Sequence, residues 1–304
     1  RLRNLTEWLR RYLLHTNTVL NALIDETDDE ELMMEQIEYA FLEKHGNSYV
    51  PDLLRPRTYN EKILNMQLFG RDNPLYAAVT DKYELKKYLA DRIDKKYIVP
   101  TLGVWDHPGD IDFDLLPEAF VLKATNGGDS LRVLLIRDKT DLDISKVTRT
   151  MHEWVGKYKN IYYVNFNGFF KNVKPRIIAE TFLEAENESC YDYKVHCFNG
   201  EPKFIHVAAK NPHEVTHFDL EWKPLSLKRG FPLIHYEVPR PYFLEEMLDL
   251  SRKLSAPFPY VRVDFMKAKN GLFVGELTLG MFGGMGKFEP ISEDLHWGEM
   301  FSGL

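Results

Sequence analysis

Two Asn-Gly dipeptides, Asn199-Gly200 and Asn270-Gly271, each stand between runs with the texture of β-strands. A tight turn of this kind joins strands that run antiparallel, so the C-terminal half folds back on itself rather than winding through parallel crossovers. The runs around the first turn are Asp192–Phe198 and Lys203–Ala208. Those around the second are Tyr260–Phe265 and Leu272–Leu277. Thr216–Leu220 adds a strand and Phe243–Leu254 a helix. Upstream, Phe120–Lys123 and Arg132–Ile136 flank a Gly-rich turn, Ala124-Thr125-Asn126-Gly127-Gly128-Asp129-Ser130. That is strand–turn–strand, not the strand–turn–helix of a P-loop. A helix from Asp143 to Tyr158 follows, and Arg176–Leu183 is a strand running into an acidic loop.

Ahead of this sheet-rich part the pattern is helical. Leu5, Leu9, Tyr12 and Leu13 recur at helical spacing, and Leu32, Ile37, Tyr39 and Phe41 do so less cleanly. The acidic run Asp25–Glu31 between them suits a solvated helix start. Thr58-Tyr59-Asn60-Glu61 is a capping-box pattern and predicts a helix from Tyr59 to Leu68. Gly70 and Pro74 then break the chain, Thr80 caps a helix from Asp81 to Leu89, and Tyr97–Pro100 reads as a short strand before a loop around Gly103. The expected fold class is α+β, an α-rich N-terminal part followed by mostly antiparallel sheet.

Composition narrows the partners. The chain has 304 residues, 44% of them apolar and 13% aromatic, enough for a sizeable core. Its net charge of −7 excludes a general polyanion binder, so no nucleic-acid partner is expected. No run of about 18 apolar residues offers a membrane-spanning helix. The start, Arg1 to Trp8, carries charges throughout and is no signal peptide; it lacks Met, which suggests a piece of something longer. The first helix is amphipathic and carries Arg3, Arg10 and Arg11. Packing against the body or an upstream domain is the preferred reading, with peripheral membrane contact through residues 1–24 as the alternative. Cys190 and Cys197 are too few for a disulfide framework and point to a reducing compartment, where both read as buried apolar residues.

The second hairpin carries the strongest chemistry. Residues two apart on a strand share a face, so Arg262 and Asp264 lie together, as do Glu276 and Thr278. Pairing through the Asn270-Gly271 turn lets the Asp264 and Glu276 carboxylates approach, and carboxylates held close need a cation between them. Oxygen-only ligands suit Mg²⁺. A cross-strand salt bridge of Arg262 with Glu276 or Asp264 explains the same residues without a metal. Lys123 ends an apolar strand just before the Gly-rich turn, where backbone N–H groups and a fixed point charge can hold phosphate; a Lys snorkelling from a strand end is the plainer alternative. Asp192 and Lys194 share a strand face, as an ion pair would. His206, His213 and His217 match no zinc spacing.

The order of these segments resembles the ATP-grasp superfamily and, more closely, the TupA-like ATP-grasp family associated with bacterial teichuronopeptide and capsule biosynthesis. The resemblance runs from about residue 50 to the end. It rests on Tyr59-Asn60-Glu61-Lys62, Thr80-Asp81-Lys82-Tyr83, Val99 to Trp105, Phe120-Val121-Leu122-Lys123, Lys174 to Glu180, Asp192-Tyr193-Lys194, Phe198-Asn199-Gly200 and Val261 to Phe265. It implies an ATP-grasp fold, two antiparallel α+β subdomains gripping ATP, with a helical N-terminal extension over residues 1–48. A pre-ATP-grasp part would cover 49–118, and the ATP-grasp domain 119–304, divided into lobes 119–183 and 184–304.

The resemblance also assigns roles. Lys82 and Lys123 would bind ATP phosphates, with the Asn126, Gly127, Gly128 and Ser130 loop folding over them. Glu180, Phe182 and Leu183 would line the adenine pocket, and Glu184 or Asp192 would contact ribose. Lys194 would reach the γ-phosphate, Asp264 and Glu276 (with Thr278) would hold Mg²⁺, and Arg262 would stabilise an acyl-phosphate. Lys287, beyond the Gly280–Gly286 loop, would hold an anionic group on the acceptor side. Thr278 stands where such ligases commonly carry Asn, and Asp129 puts an acid in the phosphate loop. The implied activity is a cytoplasmic carboxylate–amine ligase acting on a surface-polysaccharide precursor, at the inner membrane face where that precursor is lipid-linked, with an amino-acid amine as acceptor. A sugar phosphotransferase, or a non-catalytic module of a larger polysaccharide-assembly protein, is the alternative.

Overall fold

The structure, a computed structural model, describes residues 30–45, 49–128, 132–156, 167–186, 191–210, 212–227 and 231–301. The first expected helix, most of the acidic run, Ser130, Cys190 and the end of the helix expected to reach Tyr158 lie outside these residues.

The helical part begins with α1 (Glu30–His45), which buries Met33, Ile37 and Phe41. Next comes α2 (Tyr59–Phe69), and the capping box that predicts it is present on both sides. Thr58 Oγ1 accepts from Glu61 N at 3.2 Å, and Glu61 Oε2 accepts from Thr58 N at 2.9 Å. Such a cap is worth about 0.5–2 kcal/mol, and here Glu61 also ties down Asp52 N and Arg57 N.

Two expectations fail nearby, for physical reasons. Pro74 does not break the chain but opens α3 (Pro74–Thr80), capped by Asn73; at the first helical position proline's missing N–H has no partner to lose. The helix expected from Asp81 starts later, as α4 (Glu84–Ala90). Asp81 closes α3 and its Oδ1 accepts from Tyr83 N and Glu84 N at 2.8 and 3.1 Å. Lys82 therefore sits in the link between the helices. Of the short strand expected at Tyr97–Pro100 only a single parallel bridge, Ile98 with Val274, forms, and a 3-10 turn, Lys95–Tyr97, capped by Asp94 runs into it. The strand β1 (Thr101–Trp105) follows it, and Gly103, expected in a loop, lies in it. The Trp105 ring folds over Gly103, where a Cβ would come within 2.2 Å of the ring.

The remaining elements form two antiparallel sheets. The smaller has the order β1-β4-β2-β3, with β2 (Phe120–Ala124), β3 (Val133–Ile136) and β4 (Ile177–Thr181). Its core of Phe120, Leu122, Ile177 and Ala179 is closed by Met151 and Trp154 of α5 (Ile144–Trp154). The larger sheet is built of β5 (Asp192–Phe198), β6 (Glu201–Ala208), β7 (Val215–Phe218), β8 (Pro224–Leu225), β9 (Tyr260–Ala268) and β10 (Gly271–Thr278). Its order is β10-β9-β5-β6-β7-β8. Val195, Cys197, Val261, Val263 and Phe265 are buried with Leu244, Met247 and Leu254 of α6 (Leu244–Ser255). Burial pushes the Cys197 thiol up to about 12, so it behaves as an apolar residue, as expected. At the end of the chain α7 (Ser292–Glu299) brings Trp297 against Tyr59. Among the described residues no helix is long and apolar enough to cross a membrane.

Candidate active site

The β9–β10 hairpin sets opposite each other the residues that spacing singles out. Glu276 faces Asp264, and Thr278 faces Arg262. This register depends on a bulge. Val274 pairs with Phe265, but the next pair is Glu276 with Asp264, so Gly275 is an inserted residue. Had Gly275 taken a regular place in the ladder opposite Asp264, Glu276 would pair with Val263, which is fully buried, and its carboxylate would point into the core. A bulge that re-aims a side chain is a usual feature of functional sites.

The neighbouring strand extends the face. Lys194 on β5 is opposite Asp264, and His196 is opposite Arg262. Arg262 donates from Nε to Asp264 Oδ1 at 2.6 Å and from Nη2 to Oδ2 at 2.7 Å, with a further bond to Thr278 Oγ1 at 3.1 Å. Lys194 Nζ donates to Asp264 Oδ2 at 2.8 Å. Burial pushes the Asp264 carboxyl up, but Arg262 first and Lys194 next overcome this and hold it below its ordinary range. Burial works against the Arg262 cation too, yet Asp264 keeps it firmly charged.

A second cluster lies on the small sheet. Lys123 Nζ is 2.5 Å from Glu180 Oε2, and Lys86 Nζ is 2.5 Å from Glu180 Oε1. Burial raises the Glu180 carboxyl, and the two lysines then hold it down, Lys123 the more. Burial and the nearby Lys123 together outweigh Glu180 and lower Lys86. Lys86 is a residue that sequence reasoning missed: on a short helix nothing local marks it, and only the fold brings Glu180 to it. Lys82 joins the clusters. Its backbone N donates to Thr125 O at 3.2 Å, its Nζ donates to Gly127 O, and that Nζ is 4.0 Å from Glu276 Oε1. Five cations (Lys82, Lys86, Lys123, Lys194, Arg262) thus meet three carboxylates (Glu180, Asp264, Glu276), a local surplus of two positive charges in an acidic protein. That surplus suits a polyanionic ligand.

The other candidates are spread more widely. Asn126 is fully buried in the turn after β2, and neither its Nδ2 nor its Oδ1 has a partner among the described residues. Gly127 packs on Arg132, and Gly128 is exposed. Phe182 lies under the Arg137 guanidinium at 5.0 Å, and Leu183 packs with Val99, Ala268 and Phe273. Glu184 pairs with Lys269 at 2.5 Å and Asp192 with Lys210 at 3.2 Å, so each engages a lysine outside the two clusters. Lys287 is exposed beyond the Gly280–Gly286 loop. On the large sheet His206 is opposite Lys194, and His217 is opposite His206 with ring centroids 4.8 Å apart. Together with His196 they carry a row of imidazoles along the site face. Among the described residues no group of three or more His, Cys, Asp and Glu is arranged to hold a metal.

The donors at the hairpin do fit Mg²⁺. Asp264, Glu276 and Thr278 all offer oxygen atoms in register on one face, and Mg²⁺ typically takes one or two carboxylates and completes its shell with water and phosphate. Asp264 has about four lone-pair positions, and Arg262 and Lys194 occupy three of them.

Comparison with known proteins adds the following. The sequence profile of a family described as TupA-like ATPgrasp matches residues 61–302. No curated protein matches the chain. Similar solved structures include D-alanine–D-alanine ligase from Bacillus anthracis, at 19% identity over 66% of this chain and 57% of that one, TM-score 0.43. The ATP-grasp ligase PsnB complexed with a phosphomimetic variant of its minimal precursor, Mg and ADP is 14% identical over 79% of this chain and 67% of that one, TM-score 0.40. The D-cycloserine synthetase DcsG is 15% identical over 72% and 65% respectively, TM-score 0.39. The chain spans 57% and 55% of the length of two Bacillus anthracis D-alanine–D-alanine ligase structures.

Proposed function

The chain belongs to the TupA-like ATP-grasp family, and on that basis we propose that it is an ATP-dependent carboxylate–amine ligase acting on a bacterial surface-polysaccharide precursor. The observation that carries this reading is the Glu276–Asp264 pair in register beside Arg262 and Lys194, with Lys82 reaching it from the link between α3 and α4. The small sheet and the large sheet are the two lobes of the grip, and the nucleotide lies between the Lys123–Glu180 cluster and the Asp264–Glu276 pair.

The chemistry runs in two steps. A substrate carboxylate oxygen attacks the γ-phosphorus of ATP, the bond to the β-phosphate oxygen breaks, and an acyl-phosphate and ADP result. The acceptor amine then attacks the acyl carbon, inorganic phosphate leaves with the C–O bonding pair, and the nitrogen loses a proton to give the amide. Little covalent work falls to the protein; it aligns reactants and neutralises charge. Lys82 and Lys123 hold phosphate oxygens. Lys194 and Arg262, fixed by Asp264, meet the charge that develops on the transferring phosphoryl group and on the tetrahedral centre. Asp264, Glu276 and the Thr278 hydroxyl would hold Mg²⁺, which supplies charge neutralisation on the phosphates.

Calorimetric titration of a non-hydrolysable ATP analogue with Mg²⁺ tests the reading. Micromolar binding to the wild type, at least tenfold weaker in Asp264→Asn, is the expected outcome, a loss of about 1.4 kcal/mol. ADP release is then screened with uronic acids and amino acids as substrates. A folded wild type that binds no nucleotide would falsify the proposal.

A further inference from the structure

Lys82 differs from the other cations of the site in what carries it. Lys123 stands on β2, Lys194 on β5, Arg262 on β9 and Lys86 on α4. Lys82 stands in the link between α3 and α4, where neither a helix nor a strand fixes its backbone. A charge meant for one phosphate oxygen needs a fixed root, because ordering a long lysine stem already costs conformational entropy. Yet Lys82 Nζ is placed between two partners, donating to Gly127 O and lying 4.0 Å from Glu276 Oε1.

A closed circuit of bonds supplies the root. Lys82 N donates to Thr125 O at 3.2 Å. Thr125, fully buried just past β2, is tied to Arg176, just ahead of β4. Thr125 N donates to Arg176 O at 2.9 Å, and Arg176 N donates to Thr125 Oγ1 at 3.1 Å. The Arg176 side chain then returns to the link. Its Nη2 donates to Asp81 Oδ2 at 2.8 Å and to Glu84 Oε1 at 3.0 Å, and the guanidinium carbon lies 4.8 Å from the centre of the Tyr83 ring. Asp81 divides its two oxygens: Oδ2 takes Arg176, while Oδ1 takes Tyr83 N and Glu84 N. Arg176 therefore engages the residues on both sides of Lys82. The Asp81 side chain is 3% exposed and that of Arg176 13%, so solvent screens the pair little. Further along the same strand β4 carries Glu180, the partner of Lys123.

We propose that Arg176 is a positioning residue for phosphate binding: by clamping Asp81, Tyr83 and Glu84 it aims Lys82 at the phosphate chain of the nucleotide. The phosphate role of Lys82 rests on the ligase reading above, while the clamp on its backbone does not. A guanidinium suits the task. It carries two donors to two carboxylates on one nitrogen and lays a flat face on Tyr83, which a lysine cannot do. Arg176 acts through Lys82, so its removal costs the nucleotide its hold on phosphate and leaves the adenosine end untouched.

Calorimetry on the full chain tests this with two probes, a non-hydrolysable ATP analogue with Mg²⁺ and adenosine alone. The proteins are the wild type, Arg176→Gln, Lys82→Met and the double variant. Arg176→Gln is expected to bind the analogue at least tenfold more weakly, about 1.4 kcal/mol, and adenosine as tightly as the wild type does. The double variant is expected to bind the analogue no more weakly than Lys82→Met, because two residues acting through one contact do not add. Analogue binding unchanged in Arg176→Gln, an equal loss for adenosine, or losses that add in the double variant would each overturn the proposal. Asp81→Asn keeps an oxygen for Tyr83 N and Glu84 N but loses the charge that holds Arg176. It covers the case in which Arg176→Gln fails to fold, with the same split between analogue and adenosine expected at threefold or more. A wild type that binds no analogue would instead overturn the ligase reading. Hydrogen exchange at the Lys82 amide then reads the clamp by itself: exchange at least tenfold faster in Arg176→Gln or Asp81→Asn is expected, and an unchanged rate removes the clamp.

Discussion

Lys194 Nζ lies 2.8 Å from Asp264 Oδ2, and the two residues are direct partners in the β5–β9 ladder. The contact is therefore fixed by backbone register and does not depend on two flexible side chains meeting. With Arg262 forking onto the same carboxylate, Asp264 holds two cations in a set orientation. Lys cannot reproduce that fork. Arg262→Lys is expected to lower kcat for ADP release by roughly 10²–10³-fold, the scale of losing one preorganised charge stabiliser, with KM for ATP changing only a few-fold. A coupled ADP assay measures both, and a fall in kcat of less than tenfold would remove Arg262 from the proposed role.

Glu180 is shared by Lys86 and Lys123. Removing the carboxylate leaves two half-buried ammonium groups facing each other. Breaking a buried pair costs about 3–5 kcal/mol, so Glu180→Gln should unfold at markedly lower urea concentration. Lys86→Met should cost less, because Glu180 keeps Lys123. Equal losses in the two variants would show that Glu180 does not serve both lysines.

The acid limb of stability follows from the same groups. The Asp264 and Glu180 carboxyls are held below their ordinary values of 3.8 and 4.5. A folded-state value below the unfolded one gives stability that is complete above the unfolded value and lost as pH falls through the folded one. Asp81 works in the opposite sense: burial leads and leaves its carboxyl raised, despite Arg176. The urea midpoint should therefore hold steady from pH 7 to about 5.5 and fall below about pH 4.5. Glu180→Gln should flatten that fall, and an unchanged slope would show that other carboxylates govern it.

Cys197 is buried, and its thiol is pushed up to about 12. At pH 8 the reactive thiolate is then scarce as well as shielded. Iodoacetamide should leave the Cys197 peptide unmodified in the native protein and label it in urea, as peptide mass mapping would read. Native labelling at a rate near that of a free thiol would contradict the burial.

The hairpins β5–β6 and β9–β10 were legible because period-two patterning and Asn-Gly turns are local signals, and antiparallel pairing follows from the turns; β1, read as a loop, and its pairing with β4 were not, because no turn joins those strands. The Arg262, Asp264, Glu276 and Thr278 constellation was legible for the same reason. The helix at Pro74–Thr80 was missed because proline carries opposite meanings at the start and in the middle of a helix. Lys86 was missed because its role is created by Glu180, a residue far along the chain.

The inserted Gly275 makes the hairpin a device with two states of parity. With Gly275 bulged out of the ladder, an acid two places after a core valine turns outward; with Gly275 paired in the ladder the same letters would turn it inward. What matters here is register, not identity. A relative could keep each of these residues and still lack the site if the glycine were drawn into the ladder, whereas a relative without that glycine would keep the acid opposite Asp264. A residue-by-residue tally of matches is blind to that difference.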